Sequence, residues 1–188
     1  MSDVSAHRQL TRRQLLRAPR PTPDTDTADT PHLTALLAIE GLSEAMYQLA
    51  ATAPGLSPAA RRLLAMLRQQ ERLHAETLAA ELGGVPVPEL RGERAVQAAL
   101  QTGGVAVTVS ALHSERDWFA ALEEVENVVL GAYYDALLAI RSPASAALAA
   151  RILAAEAQHQ TLLFSFRHPH DIALAVAEGV VQGSAQAQ

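Results

Sequence analysis

Two short stretches carry side chains with chemistry to offer. "ERLH" at residues 71–74 and "EAQH" at residues 156–159 each set a carboxylate and an imidazole three positions apart, inside apolar, helix-forming runs. Residues at i and i+3 share one face of a helix, so each Glu–His pair can reach a common point. Stepping three and four residues along the first run gives Ala60, Leu64, Leu67, Glu71, His74 and Leu78. The second gives Ala149, Ile152, Glu156, His159, Leu163 and Phe166. Both pairs fall on the apolar stripe that a helix turns toward a core. Two more runs bring one glutamate each to such a stripe: Leu36, Glu40, Ser43, Tyr47, Ala50, and Phe119, Leu122, Glu126, Val129, Tyr133, Ala136, Ile140.

The four runs form an internal repeat. Glu40 and Tyr47 recur as Glu126 and Tyr133 at an offset of 86 residues, and Glu71 and His74 recur as Glu156 and His159 at 85. Six polar side chains thus converge on one bundle axis. An unpaired buried carboxylate costs several kcal/mol, and no Arg or Lys stands on these stripes to neutralise four of them. Two divalent cations would cancel the four charges. Carboxylate and imidazole donors without thiolate suit iron or manganese, with zinc as a less demanding substitute. Glu on two helices and Glu-x-x-His on two partners is the di-iron and di-manganese carboxylate pattern of helical bundles. The competing reading is a degenerate bundle whose glutamates stay protonated or reach solvent at its end.

The elements that must position these residues are bounded by legible signals. Thr30–Pro31, Ser57–Pro58 and Ser142–Pro143 each offer a capping hydroxyl followed by proline at the first helical position. Ser114 with Asp117 is a capping-box variant. "APG" after Ala51, Gly83–Gly84 and "RSP" after Ile140 are stops. The chain is therefore expected to be all-α, with helices over 31–52, 58–82, 115–141 and 143–166. About thirty residues join helices two and three, with a short helix around Arg91–Gln101, while the other two connections are brief. Short, long, short is the connectivity of a four-helix bundle with one crossover. "HDIALAVAEGVV" is a candidate fifth, shorter helix. The bundle domain is placed at 31–182, with a tail over 1–30 and a flexible C-terminus over 183–188.

Composition agrees. At 188 residues the chain is long enough for one domain with a real core. It is 49 % hydrophobic but only 4 % aromatic, dominated by Ala and Leu, which favours helix over sheet. A net charge of -5, with all 15 cationic residues Arg, provides no basic surface for nucleic acid. The absence of cysteine excludes disulfides, thiolate metal sites, iron–sulfur clusters and cysteine nucleophiles. No apolar stretch of about 18 residues is present to span a membrane. "RAPRPTPDTDTADTP" has the composition of a disordered tail. Before it, "TRRQLLR" at Thr11–Arg17 looks like the start of a twin-arginine export signal. The apolar segment of about 7–15 residues that a signal needs next is missing, so a cytoplasmic location is expected, with export as the alternative.

"IEGLSEAMY", "ERLHAETLAAELG", "VENVVLGAYYDALLAI" and "AARILAAEAQHQTLL" resemble the helix motifs of the ferritin-like superfamily. Within it they are most similar to ferritin-like domain proteins often found behind twin-arginine signals. The resemblance covers residues 32–167. It implies a di-iron site with Glu40, Glu71, His74, Glu126, Glu156 and His159 as ligands, Glu71 and Glu156 bridging. Many such relatives carry Asp immediately before the Glu-x-x-His, hydrogen-bonded to the other motif's histidine; here those positions are Gln70 and Ala155. His159 is then expected to have a neutral acceptor, and His74 to rely on a backbone carbonyl or water.

Tyr47 and Tyr133 are candidates to hydrogen-bond bridging carboxylates or to hold a radical; the blander alternative is a core tyrosine with its hydroxyl satisfied nearby. Glu44, Glu123 and Glu124 are weaker ligand candidates, and His168 with His170 reads as a surface turn. Fold and site do not by themselves specify a reaction. The leading expectation is a redox di-iron protein of ferroxidase or rubrerythrin-like peroxidase type, acting on dioxygen or peroxide. Lacking cysteine, it would draw electrons from an external donor. Iron storage or sequestration, and a structural bundle with a relic site, are the alternatives. Assembly into a homo-oligomer is kept open.

Overall fold

The computed structural model describes residues 27–170. The TRRQLLR stretch, the candidate fifth helix and the C-terminus lie outside them. Five α-helices follow in order: α1 (Thr30–Thr52), α2 (Pro58–Glu81), α3 (Glu93–Thr102), α4 (Glu115–Ala139) and α5 (Pro143–Arg167), with a 3-10 turn at Val109–Ala111 before α4. No strand occurs among the described residues. The short α3 sits in the crossover near its expected place.

Three of the four long helices start where the capping hydroxyls stand. Ser57 and Ser142 accept the backbone N–H of Ala60 and Ser145 at 3.1 and 3.4 Å, each with proline opening the helix. Ser114 and Asp117 form a reciprocal capping box. α2 ends at Gly83 and Gly84, whose φ values of +83° and +84° let their N–H groups turn back onto Ala80 and Ala79 carbonyls.

The start of α1 differs from the expectation. Its N-cap is Asp29, not Thr30, and the Asp29 side chain makes no cap hydrogen bond. The carboxylate accepts instead the backbone N–H groups of Arg141 and Ser142, both at 2.8 Å. Those residues form the α4–α5 turn, so one buried side chain ties the first helix to the last connection. Residues 27–30, assigned by composition to the tail, therefore lead directly into the bundle.

α1 packs against both α2 and α4, and α4 packs against α5; α2 and α5 touch only sparsely. Leu33, Leu36, Met46, Leu64, Leu67, Leu78, Phe119, Leu122 and Leu163 fill the interior. Each such side chain gains about 1.5–3 kcal/mol on leaving water. The crossover passes close over α1: a Cβ at Gly41 would lie 3.0 Å from the Pro88 carbonyl oxygen. That glycine directly follows Glu40, so backbone approaches backbone beside the polar interior.

Replacing Asp29 by Asn keeps the shape but leaves one turn N–H with an uncharged acceptor and sets the amide N–H2 against the other, which then has none. A melting temperature lower by a few degrees is expected at neutral pH. The Arg141 N–H bond holds the Asp29 carboxyl below its ordinary 3.8. Its contribution is thus present above that value and lost as pH falls through the lower folded one, so the two proteins should converge in acid. Thermal melts of both across the acid range check this.

Candidate metal centre

All six glutamate and histidine side chains on the four stripes meet at one level of the bundle. Glu40, Glu71, Glu126 and Glu156 are fully buried, and the His159 and His74 side chains are 1 % and 15 % exposed. Their donor atoms form two groups, each within 4.8 Å: Glu40, Glu71, His74 and Glu156, and Glu71, Glu126, Glu156 and His159. Glu71 and Glu156 belong to both. One helical hairpin cannot make either group, because each draws on α1 or α4 together with both α2 and α5.

The distances show where the rings point. His74 Nδ1 lies 2.5 Å from Glu156 Oε1 and 3.7 Å from Glu40 Oε2. His159 Nδ1 lies 2.7 Å from Glu71 Oε1, 2.9 Å from Glu156 Oε2 and 3.9 Å from Glu126 Oε1. The two rings run nearly parallel, 16° apart, with centroids 5.7 Å from each other. Apart from these imidazole–carboxylate approaches, eight buried atoms here have no hydrogen-bond partner: both Nδ1 atoms, both oxygens of Glu71 and of Glu156, Glu40 Oε2 and Glu126 Oε2. Buried polar atoms are normally satisfied. Eight inward-facing lone-pair donors left over at one place fit a cation pair, and the donor set suits hard or borderline divalent metals.

The remaining carboxylate oxygens are held from outside. Tyr47 on α1 donates to Glu126 Oε1 on α4, and Tyr133 on α4 donates to Glu40 Oε1 on α1. These reciprocal bonds place α1 and α4 antiparallel. Each tyrosine grips a glutamate of one group only, not one that both groups share. Burial, and then the adjacent carboxylates, push both tyrosines well above their ordinary value of 10, so both stay protonated as donors. On the far side of His159, Gln70 Oε1 lies 2.6 Å from Nε2, the neutral acceptor that the family resemblance implied. Ser43 is buried on the α1 stripe between Glu40 and Tyr47, where α4 has Val129. Its place on the stripe was legible, but nothing in the sequence assigns it a role.

The weaker candidates stand elsewhere. Glu44 pairs with Arg68 and Arg72 at 3.4 and 3.8 Å beside a surface groove of about 650 Å³, which Pro86–Gly92 of the crossover helps to line. Glu123 pairs with Arg167 at 2.5 Å, and Glu124 is exposed. His168 stacks on Phe164, and His170 is exposed. Among the described residues no further cluster of three or more possible metal-holding side chains occurs.

With the site thus defined, the fold and the chain's ancestry agree: the protein belongs to the ferritin-like domain family, whose model matches residues 28–167. No curated protein and no solved structure matches it.

Without metal, protons must do the neutralising. Burial raises Glu71 and Glu126 well above 4.5, and the neighbouring carboxylates raise them further; burial also raises Glu40. Burial alone would raise Glu156 too, but the imidazoles of His159 and His74 outweigh it and hold that carboxyl at about 2. Burial opposes charging His74, yet Glu156 and Glu40 bring it up to about 10, and His159 is raised in the same way. Glu156 is thus the anion that holds the two imidazoles together.

Two outcomes follow for chelator-treated protein. Glu156→Gln should lower its stability by ~2 kcal/mol, the scale of a hydrogen bond to a charged group, while Glu71→Gln should leave it at least as stable as wild type. Denaturant melts compare the three. The raised His74 contributes stability that is complete below 6.5 and lost as pH rises through about 10. Raised Glu71 and Glu126 weaken the metal-free fold in the same direction above their ordinary 4.5. Metal-free protein should therefore lose melting temperature between pH 6.5 and about 10, and metal-loaded protein should not.

Proposed function

We propose that the chain is a di-metal carboxylate protein that binds two iron ions, with manganese or zinc as substitutes, and is redox-active toward dioxygen or peroxide. The observation that carries the reading is the sharing of Glu71 and Glu156 by two donor groups, which gives two adjacent positions joined by two carboxylates. Glu40 with His74, and Glu126 with His159, would complete them. Bound there, two ferrous ions would supply two electrons, enough to reduce one peroxide to water with two protons or one dioxygen to peroxide.

The chain's own residues set the conditions for that chemistry. Tyr133 and Tyr47 fix the outer oxygens of Glu40 and Glu126, leaving the inner ones to face the centre. Leu67 and Ile152, one turn before the Glu-x-x-His residues, and Val129 on α4 keep bulk water off the carboxylates. The sparse α2–α5 contact and the partly exposed His74 leave an approach for a small oxidant on that side. No cysteine is present to carry electrons inward, so repeated turnover requires an external donor.

Anaerobic reconstitution with ferrous iron followed by elemental analysis should find about two metals per chain, as a six-ligand carboxylate site requires. Admission of air should then produce rapid optical oxidation at that stoichiometry. Many irons per chain would indicate storage instead, and binding of none would sink the metal reading. Affinity should rise with pH, because binding displaces the protons held by the glutamates and imidazoles.

A further inference from the structure

Resting on that di-metal reading, we propose that the two metal positions are unequal. The position of Glu126 and His159 fills first and more tightly; that of Glu40 and His74 is weaker and exchangeable. Gln70 is the positioning residue that makes the difference.

The two positions are otherwise closely matched. Both share Glu71 and Glu156, and each adds one glutamate whose outer oxygen is held by a tyrosine. They part at the imidazoles. Gln70 Oε1 can only accept, so at 2.6 Å it requires a hydrogen on His159 Nε2. A neutral ring so held keeps its lone pair on Nδ1, the atom that faces Glu71 and Glu156. The ring's orientation is set before a metal arrives, and the hydrogen that must remain once Nδ1 binds a metal is already held on Nε2.

The residue that the repeat relates to Gln70 is Ala155, whose methyl group accepts nothing. Among the described residues none accepts a hydrogen bond from His74 Nε2, and the side chain is 15 % exposed against 1 % for His159. Water serves this ring without fixing it, so loading must order the ring and displace solvent. A partner of this kind on a ligating histidine is worth about 10–100-fold in affinity, and an uncharged amide belongs at the lower end.

The test uses the full chain, stripped with chelator and titrated anaerobically with Mn²⁺ alone, the free ion being counted by electron paramagnetic resonance. Wild type should bind two ions in steps separated by about tenfold. His74→Ala should remove the weaker step and keep the tighter, and His159→Ala should remove the tighter. Gln70→Leu, similar in size but without an acceptor, should weaken the tighter step by about tenfold, while Gln70→Glu should preserve it. Ala155→Gln should strengthen the weaker step. Circular dichroism confirms that each variant keeps its helices. Two equal sites in wild type, or a tight step that survives His159→Ala but not His74→Ala, would overturn the inequality. No bound Mn²⁺ at all would overturn the di-metal reading and the inequality with it.

Discussion

Four carboxylates in one apolar interior set the terms for everything around them. A single uncompensated charge at such depth costs more than a buried leucine returns. The bundle therefore surrounds them with three kinds of compensation. Tyrosine hydroxyls take the outer oxygens of Glu40 and Glu126, imidazoles flank the shared Glu156, and burial shifts Glu71 and Glu126 toward their protonated forms when no cation is present. Each compensation is partial, and eight donor atoms at the centre have no partner beyond the imidazole–carboxylate approaches. The layers of Leu36, Leu64, Leu67, Leu122 and Leu163 around this level supply the apolar burial that lets the fold tolerate it.

The helix arrangement follows from the same demand. A glutamate on α1 finds its hydroxyl partner on α4, and the reverse, only if those helices run antiparallel in one particular register. α2 and α5 then face each other through Gln70 and His159 near the centre, and through Glu81 and Ser145 at one end. Asp29 closes the same end by clasping the α4–α5 turn. α1 packs closely with α2 and α4, while α2 and α5 touch sparsely and His74 between them is partly exposed.

Much of this was legible before any coordinates. Glu71, His74, Glu156 and His159 lie between leucines and isoleucines at helical spacing, so periodicity alone turned them inward, and the repeat brought Glu40 and Glu126 to join them. Capping hydroxyls at Ser57, Ser114 and Ser142 located helix starts because capping is a local interaction. What sequence could not supply depends on distant partners. Asp29 looked like the end of a disordered tail because the backbone N–H groups that donate to its carboxylate are more than a hundred residues away. The tyrosines were placed on the stripes, but which carboxylate each would grip depends on the α1–α4 register. The close pass of Pro88 over Gly41 depends on the path of an irregular connection, which no periodicity reports.

The crossover has a consequence for the two halves that it joins. Were the site built from two separate, identical hairpins related by a two-fold axis, any residue beside one imidazole would necessarily stand beside the other. Carrying both hairpins on one chain removes that obligation. Gln70 opposite Ala155, and Ser43 opposite Val129, are differences that only a covalently joined pair can hold. The thirty-odd residues between α2 and α4 thus do more than span the bundle: they let two copies of one design specialise independently.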